Sequence, residues 1–283
     1  MAALSAIRTD ARLRANDQNS RIVSDAQALI LINAALEEWV NRTEEVRQEN
    51  AFALTAKQIL YDAPADMIRL LLATYMQTGW NPLSVLSAHE AQQEGAYDLY
   101  HGSGLPRLIA VEGKNAAYKF RLFPPPASSG ATTTLNGAVA SSSSTSITVA
   151  STTGLHSPGG WVIVDSEKIM YQNVSSTQLL LCVRGAGNTT AATHSDLATV
   201  TQLDLHTVYT RRPAALSADA DVPEIDARWH KYLVSYIVAE ILKLDDRDPS
   251  WFSNDWEAGI KEARREIRKA QGASPSYFLS GGY

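Results

Sequence analysis

The chain has 283 residues, of which 45% are hydrophobic, and it carries a formal net charge of -5 with an isoelectric point near 5.7. This acidic balance argues against a dedicated nucleic-acid binder, which is usually basic. A single cysteine, Cys182, excludes an intramolecular disulfide and a cysteine-based zinc site. No apolar run reaches membrane-spanning length, and residues 1–15 do not form the apolar core of a secretion signal. We therefore expect a cytosolic or cytosol-assembled protein without membrane association.

The N-terminal quarter of the chain predicts one long helix. Residues 1–20 are polar, and we expect a frayed or partner-bound arm there. A helix is predicted over residues 25–48, because Ser24 is a good N-cap and Gln27 stands in the capping-box position. The apolar run 70–75 is compatible with either a helix or a strand.

The next stretch predicts a short helix and a β-hairpin. Ser87 and Glu90 form a second capping-box pattern, so a short helix should run over residues 88–94. Residues 106–112 and 116–123 alternate between apolar and polar side chains around a glycine, which indicates a hairpin.

The composition changes at residue 127, and the segment up to residue 201 is dominated by Ser, Thr, Ala and Gly. Its strand-like runs are residues 146–149, 161–165, 168–172 and 179–183. Glu167 is assigned to a turn between two of these runs. The pattern predicts a small all-β module of short antiparallel strands over residues 131–202.

The last part of the chain returns to helical patterns after a strand over residues 203–210. Residues 225–244 have an apolar arc wider than a surface helix needs, which predicts a core helix. Its central buried positions are Trp229, Leu233, Tyr236, Ile237 and Ile241. A final helix is predicted over residues 255–269. The Gly- and Ser-rich end, residues 272–283, retains four large apolar side chains, as expected for a flexible anchor that docks on a partner.

Together these elements predict an α+β chain with two domains. The first is a mainly α-helical discontinuous domain with a short β-hairpin or sheet, made of residues 1–126 and 203–283. The second is the β module, residues 131–202, inserted between its two parts.

The sequence contains no catalytic motif that we recognise. It has no phosphate loop, no dinucleotide-binding glycine pattern, no zinc-protease motif and no nucleophile elbow. Its six histidines are scattered, the acidic run after residue 244 fails the calcium-loop pattern, and Asp196 and Asp204 are interpreted as surface residues. Cys182 is expected to be buried and inert. We therefore predict a protein that is not an enzyme, with no catalytic residue, no metal site and no cofactor.

The order of three segments resembles the adaptor, or head-completion and connector, proteins of tailed bacteriophages. The segments are Ala-Pro-Ala-Asp-Met-Ile-Arg-Leu-Leu at residues 63–71, the hairpin from Gly104-Leu105-Pro106 to the three prolines at 124–126, and the strand and long helix at residues 203–244. The β segment is similar to a small β module that recurs in phage virion proteins. The residues that carry this second resemblance are 146–149, 163–171, 182–185 and 194–196.

The resemblance implies a structural ring in the phage neck, commonly of about twelve copies related by heterologous contacts. Such a ring joins the portal protein to a tail or nozzle protein below it, and DNA passes through its lumen without specific binding. It is located in the virion and assembled in the host cytoplasm. The C-terminal segment of these proteins binds the portal, which makes the four apolar tail residues portal-binding candidates: Tyr277, Phe278, Leu279 and Tyr283.

Two other functions stay open at this level. The first is a virion-associated carbohydrate-binding or adhesive protein that uses the β module, in which Trp161 and Tyr171 are the available aromatic residues. The second is a cell-wall hydrolase, which needs paired carboxylates in a cleft.

Overall fold

In a computed structural model of the chain, residues 2–76, 80–99, 102–114 and 117–273 are described. The chain is 30% helical and 31% strand, and within those described ranges the strands form four sheets. The prediction of a mainly α-helical main domain is therefore wrong, because strands contribute as much as helices. The chain divides into two compact units: a first unit of residues 1–47 and 210–283, and a second unit of residues 48–209.

The helices and strands are numbered in chain order. The helices are α1 (Leu4–Ala15), α2 (Asp25–Thr43), α3 (Ala88–Gln93), α4 (Ala96–Leu99), α5 (His230–Leu244), which follows a 3₁₀ turn at Ala227–Trp229, and α6 (Ser250–Ala273). The strands are β1 (Arg47–Phe52), β2 (Leu60–Asp62), β3 (Met67–Tyr75), β4 (Asn81–Pro82), β5 (Ser84–Ser87), β6 (Leu108–Lys114), β7 (Ala117–Phe123), β8 (Thr132–Thr134), β9 (Ser146–Thr148), β10 (Gly160–Val164), β11 (Glu167–Tyr171), β12 (Asn173–Val174), β13 (Gln178–Leu180), β14 (Val183–Ala186), β15 (Thr199–Leu203) and β16 (Leu205–Arg211).

The first unit contains α1, α2, α5 and α6, and α1 replaces the predicted N-terminal arm. Leu4, Ile7 and Ala11 are buried along one face of α1. The Leu4 amide donates to the Asp221 carbonyl at 2.8 Å, which holds the start of the helix. The arm prediction was wrong because only these few apolar positions mark the helix in a polar sequence.

Helix α2 begins where its capping box predicts. The Ser24 hydroxyl accepts from the Gln27 amide, and the Gln27 side chain accepts from the Ser24 amide at 2.9 Å, which satisfies two N-terminal donors. The helix ends at Thr43, short of the predicted residue 48. Glu44 adopts a left-handed conformation at φ 59° and its amide bonds to the Val40 carbonyl, which closes the last turn.

An aromatic cluster forms the core between α2, α5 and α6. The Trp39 ring lies 5.9 Å from the Trp229 ring, 5.9 Å from the Tyr232 ring and 5.3 Å from the Trp256 ring, measured between centroids. Gly259 on α6 faces the Tyr232 ring so closely that a Cβ at this position would lie 2.4 Å from it. Helix α6 can therefore approach α5 closely only at a glycine.

The second unit begins with two four-stranded sheets, in the orders β1-β16-β3-β4 and β2-β7-β6-β5. One continuous hydrophobic core is drawn from both sheets, so they pack face to face as a sandwich. Its buried members are Leu54, Tyr61, Met67, Leu70, Ala73, Tyr75, Leu83, Ile109, Phe120, Leu122, Leu205 and Tyr209. The apolar run at 70–75, compatible with a helix or a strand by sequence, lies in strand β3.

Two other sequence predictions for this part are confirmed. Strands β6 and β7 pair as an antiparallel hairpin, with Leu108 opposite Phe123. The capping box at Ser87 and Glu90 starts helix α3, and both of its hydrogen bonds are formed. Phe123 on β7 packs with buried alanines and with the Tyr97 ring of α4, so the short helices cover one face of the hairpin.

Strands β8 to β15 form a second sandwich from sheets of order β14-β11-β10-β15-β8 and β12-β13-β9. Its core is separate from the first and comes entirely from residues between 135 and 200. The buried members are Leu135, Val139, Ile147, Val149, Leu155, Val162, Val164, Ile169, Tyr171, Leu179, Cys182 and Val200. Each of the four predicted strand-like runs overlaps a strand of this sandwich, with bounds that differ by up to three residues.

The two ends of this segment lie side by side. Strand β8 pairs antiparallel with β15, with Thr132 opposite Thr201 and Thr134 opposite Thr199. Gly130 precedes this pair, and a Cβ there would lie 2.5 Å from the Gln202 carbonyl oxygen. The chain therefore enters and leaves the segment at one place.

A smaller apolar cluster joins the second sandwich to the first within this unit. Trp161 and Leu203 pack there with Ala51 and Met76. Next to them, the Lys168 ammonium bonds to the Asn50 side chain and lies 5.0 Å from the centre of the Phe52 ring. Burial lowers the pKa of Lys168 to about 8, because desolvation disfavours the ammonium form.

Candidate interaction surfaces and buried polar clusters

The residues predicted for the core helix fall on α5 and on the turn before it. Trp229, Leu233, Ile237 and Ile241 are buried. Tyr236 is half-buried, and its ring lies 4.9 Å from that of Trp256. These residues pack α5 into the first unit.

The four predicted portal-binding residues, Tyr277, Phe278, Leu279 and Tyr283, lie outside the described residues. Helix α6 is described to Ala273, and these residues follow it in the chain. Where they bind stays a prediction.

Glu167 is the centre of a buried ionic cluster that the sequence analysis missed. Its carboxylate is fully buried and receives two bonds of 2.7 Å from the Arg184 guanidinium, with a third at 2.8 Å from His194 Nε2. The backbone amides of Gly185 and Ala192 donate to the same carboxylate at 2.9 and 3.0 Å. A buried carboxylate is tolerated only when its oxygens are satisfied in this way.

The cluster has a clear electrostatic signature. Burial by itself would raise the pKa of the Glu167 carboxyl, but the bonds from Arg184, the two backbone amides and His194 outweigh it and lower the pKa to about 2. The second nitrogen of His194 lies 2.7 Å from an Asp165 oxygen. Glu167, Arg184, His194 and Asp165 each bond to another member of the same sandwich. The cluster therefore holds the loop after β14 in place and has a structural role.

A second buried cluster lies where the two sandwiches meet. Tyr171 donates to the Gln202 side chain and to the His156 carbonyl, each at 2.9 Å. Asp204 is buried, and one of its oxygens lies 3.0 Å from His156 Nε2. The expectation that Asp204 is a surface residue was wrong, because the chain crosses here between β15 and β16 and both faces are covered. Asp196 is exposed and accepts from the Gly137 amide at 2.7 Å.

The remaining candidate groups for chemistry are dispersed. Among the residues that the structure describes, no three His, Cys, Asp or Glu side chains are grouped as metal ligands would be. Cys182 is a buried free thiol, and burial raises its pKa to about 11, which disfavours the reactive thiolate near neutral pH. Trp161 and Tyr171, the two aromatics considered for carbohydrate stacking, are both buried and present no open ring face.

Two exposed surfaces of the first unit stand out instead. We define the basic stripe as five exposed side chains along one face of α6, which line a groove of about 540 Å³. They are Lys261, Arg264, Arg265, Arg268 and Lys269. We define the Trp251 end as the exposed side chains at the α5–α6 connection and beside it, namely Leu13, Leu244 and Trp251 with Asp245, Asp246 and Asp248.

The buried polar groups hold the fold, and the prominent exposed surfaces of the first unit are charged or aromatic. A family profile described as SU10 adaptor protein matches residues 1–175. The chain belongs to this family of phage head–tail adaptors. No curated protein matches the chain.

Membership has direct implications for class and location. The family is a structural one, which indicates a non-enzyme, and it implies portal and tail proteins as partners and the virion neck as location. Among the described residues, no helix has the length and apolarity needed to cross a membrane.

Proposed function

We propose that the protein forms a closed homo-oligomeric ring in the phage neck, which joins the portal to the tail and lines the channel through which DNA leaves the head. The observation that carries this proposal is the match of residues 1–175 to the adaptor family. A ring of identical copies needs heterologous contacts, in which two different surfaces of each copy meet. About twelve copies is the number that the resemblance to neck adaptors implies.

The net charge of the chain is consistent with a passive DNA channel. At a formal charge of -5, the protein as a whole repels the phosphate backbone. A lumen rich in cations would bind phosphates and retain the DNA. We propose that DNA passes without specific binding.

The predicted anchor, residues 272–283, is shortened to 274–283 because α6 runs to Ala273. We further propose that this segment attaches the ring to the portal through Tyr277, Phe278, Leu279 and Tyr283. Ordering a segment rich in glycine and serine costs on the order of 1 kcal/mol per residue. Burial of three aromatic rings and a leucine offsets that cost at roughly 25 cal/mol per Å². A few aromatic anchors commonly dominate an interface in this way.

A chain that ends after Ala273, the last residue of α6, tests attachment. We expect it to keep the helicity and melting temperature of the full chain but to lose attachment to heads that carry the portal. Attachment is measured by co-sedimentation with those heads, and the ring by electron cryo-microscopy of the neck.

Two results would contradict these proposals separately. A single copy of the full chain on the neck axis would refute the ring. Attachment of the shortened chain together with a lower melting temperature would show that the tail folds back on its own subunit.

We also propose that residues 131–202 are an inserted module that folds by itself within a discontinuous domain. The support is that its twelve-member core comes only from residues 135–200 and that β8 and β15 close its two ends. Its contacts with the first sandwich include the apolar cluster around Trp161, the Lys168–Asn50 bond and the buried cluster at Asp204.

The isolated fragment 131–203 should therefore unfold cooperatively, with dispersed amide resonances in NMR spectra. Because isolation exposes Trp161, a Trp161→Gln version is prepared in parallel to keep the fragment soluble. An Arg184→Met version is the matched control and should melt at a lower temperature. Fragments that are all unfolded would show that the segment depends on the rest of the second unit.

A further inference from the structure

The basic stripe places like charges close together on α6, which lowers the stability of that helix when nothing binds to it. Its five cations are spaced by three or four residues, so that Lys261 faces Arg265 and Arg264 faces Arg268 at helical spacing. Like charges at this spacing destabilise a helix. Glu266 relieves part of the repulsion, at 3.2 Å from Lys269 and 3.7 Å from Arg265. The remaining repulsion among the cations destabilises α6 when the stripe faces water. An anionic partner bound to the stripe would remove that repulsion.

The Trp251 end has the opposite character. Trp251 is 65% exposed, Leu244 is 64% exposed and Leu13 is 58% exposed, although all three are large apolar side chains. They lie at the same end of the unit, because the Arg247 guanidinium, in the turn between α5 and α6, donates to the Ala15 carbonyl at 2.8 Å.

Carboxylates accompany these apolar side chains. Asp245 and Asp246 lie in the turn directly after Leu244, and Asp248 accepts from the Ser250 amide at 2.9 Å at the start of α6. The Phe252 ring lies 4.7 Å from the Trp251 ring and supports it from one side. Asp245 already lies 3.8 Å from Arg247. A guanidinium both pairs with acids and stacks on an indole, so it suits a short stretch of chain that exposes three aspartates and a tryptophan.

The two surfaces cannot meet within one chain. Both are on α6, and fourteen residues separate Trp251 from Arg265. At 1.5 Å per residue this is about 21 Å, which is beyond the reach of an arginine side chain. A contact between them therefore joins two copies, and since the surfaces differ, each copy retains one free surface for the next neighbour.

We propose that the basic stripe of one copy binds the Trp251 end of the next copy, and that this is the side-to-side contact of the ring. The inference rests on the proposed ring function and names the surfaces that build it. The arginines of the stripe pair with the aspartates of the turn and stack on the indole, which buries the apolar end that a single copy exposes.

Two charge variants of the full chain test this contact. The stripe variant is Arg264→Glu, Arg265→Glu and Arg268→Glu, and the turn variant is Asp245→Lys and Asp246→Asn. The new carboxylates at 264 and 265 face Lys261 and Lys269, and a lysine after the last turn of α5 complements the helix dipole. Asparagine retains the positive φ of 51° at position 246. Both variants should therefore fold, as circular dichroism checks.

Each variant alone should fail to form rings with portal-bearing heads, or with itself if the wild type assembles free. An equimolar mixture of the two should recover rings, because the acidic stripe of one meets the basic turn of the other in alternation. Trp251→Ala should weaken assembly by about tenfold or more, as expected for a central aromatic anchor. An Arg21→Glu, Arg107→Glu control reverses two exposed arginines elsewhere and should assemble normally.

The possible outcomes distinguish a wrong lateral contact from the absence of a ring. Normal rings from both charge variants would overturn this contact and leave the neck ring intact, whereas a wild type that never forms rings would overturn the ring itself. If the stripe variant assembles normally but loses salt-dependent binding to duplex DNA, the stripe is a phosphate-binding surface and the proposal is wrong. Failure of the mixture to recover rings would also refute the pairing.

Discussion

An Arg184→Met variant is expected to lose about 3–5 kcal/mol of unfolding free energy at neutral pH, because the substitution leaves the Glu167 carboxylate buried without its cation. The lost partner supplies two bonds of 2.7 Å. Replacing the carboxylate as well, with Glu167→Gln, should recover part of the loss, since a neutral amide costs less to bury than a charge. Urea unfolding of the single and double variants measures both values.

The stability loss caused by Arg184→Met should depend on pH in a definite direction. In the wild type the pKa of Glu167 is about 2, below its ordinary 4.5, so its stabilisation is complete above pH 4.5 and is lost as the pH falls toward 2. In the variant the Arg184 bonds no longer offset burial, so we expect that pKa to rise, and protonation at low pH then relieves part of the destabilisation. The difference between the two proteins should therefore shrink between pH 7 and pH 4. A difference that grows on acidification would contradict the assignment.

A Gly259→Ala variant should be less stable than the wild type by about 1–3 kcal/mol, the usual cost of overpacking a core. A loss of stability would be informative, because replacing glycine with alanine inside a helix ordinarily stabilises a protein by about 1 kcal/mol. The added Cβ would lie 2.4 Å from the Tyr232 ring, which is held by Trp39 and Trp229. Thermal unfolding of the full chain measures the change.

Two controls isolate the contact with Tyr232. In a Tyr232→Ala background the ring is absent, so the same Gly259→Ala change should become stabilising. At Gly102 a Cβ meets nothing within 4 Å, and alanine there should be close to neutral. A stabilising effect of Gly259→Ala in the wild-type background would show that α6 moves freely away from α5.

Predictions from the sequence succeeded where the decisive groups are close in the chain. The capping box of α2 needs only Ser24 and Gln27, and that of α3 only Ser87 and Glu90, so a span of four residues determines where each helix begins. The β6–β7 hairpin is equally local.

The sequence left the structure undecided where a distant strand determines it. The run at 70–75 lies in β3 because β16, more than a hundred residues later, pairs beside it. The propensity and periodicity of a six-residue window carry no information about a strand that pairs with it from far along the chain. The helical bias of the predicted main domain has this origin.

The burial of Glu167 had a signal that the turn assignment overlooked. Glu167, Ile169 and Tyr171 alternate along β11 and are buried on the same face. A carboxylate at such a position needs a cation from elsewhere, and Arg184 and His194 stood in the motif that carried the resemblance to phage β modules. Both reach Glu167 through long-range pairings, of β11 with β14 and of His194 with Val139, which the sequence does not state.

The packing of α1 against the late part of the chain has a consequence for synthesis. The Leu4 amide bonds to Asp221, and the Ala15 carbonyl receives Arg247, so α1 touches only the nearby start of α2 until residues 221–247 have been made. The second unit, residues 48–209, is complete before then, because chains fold from the N-terminus as they are made. The unit that carries the basic stripe and the Trp251 end thus matures after the second unit, and a chain not yet made to residue 269 does not display the pair of surfaces that would draw it into an assembly.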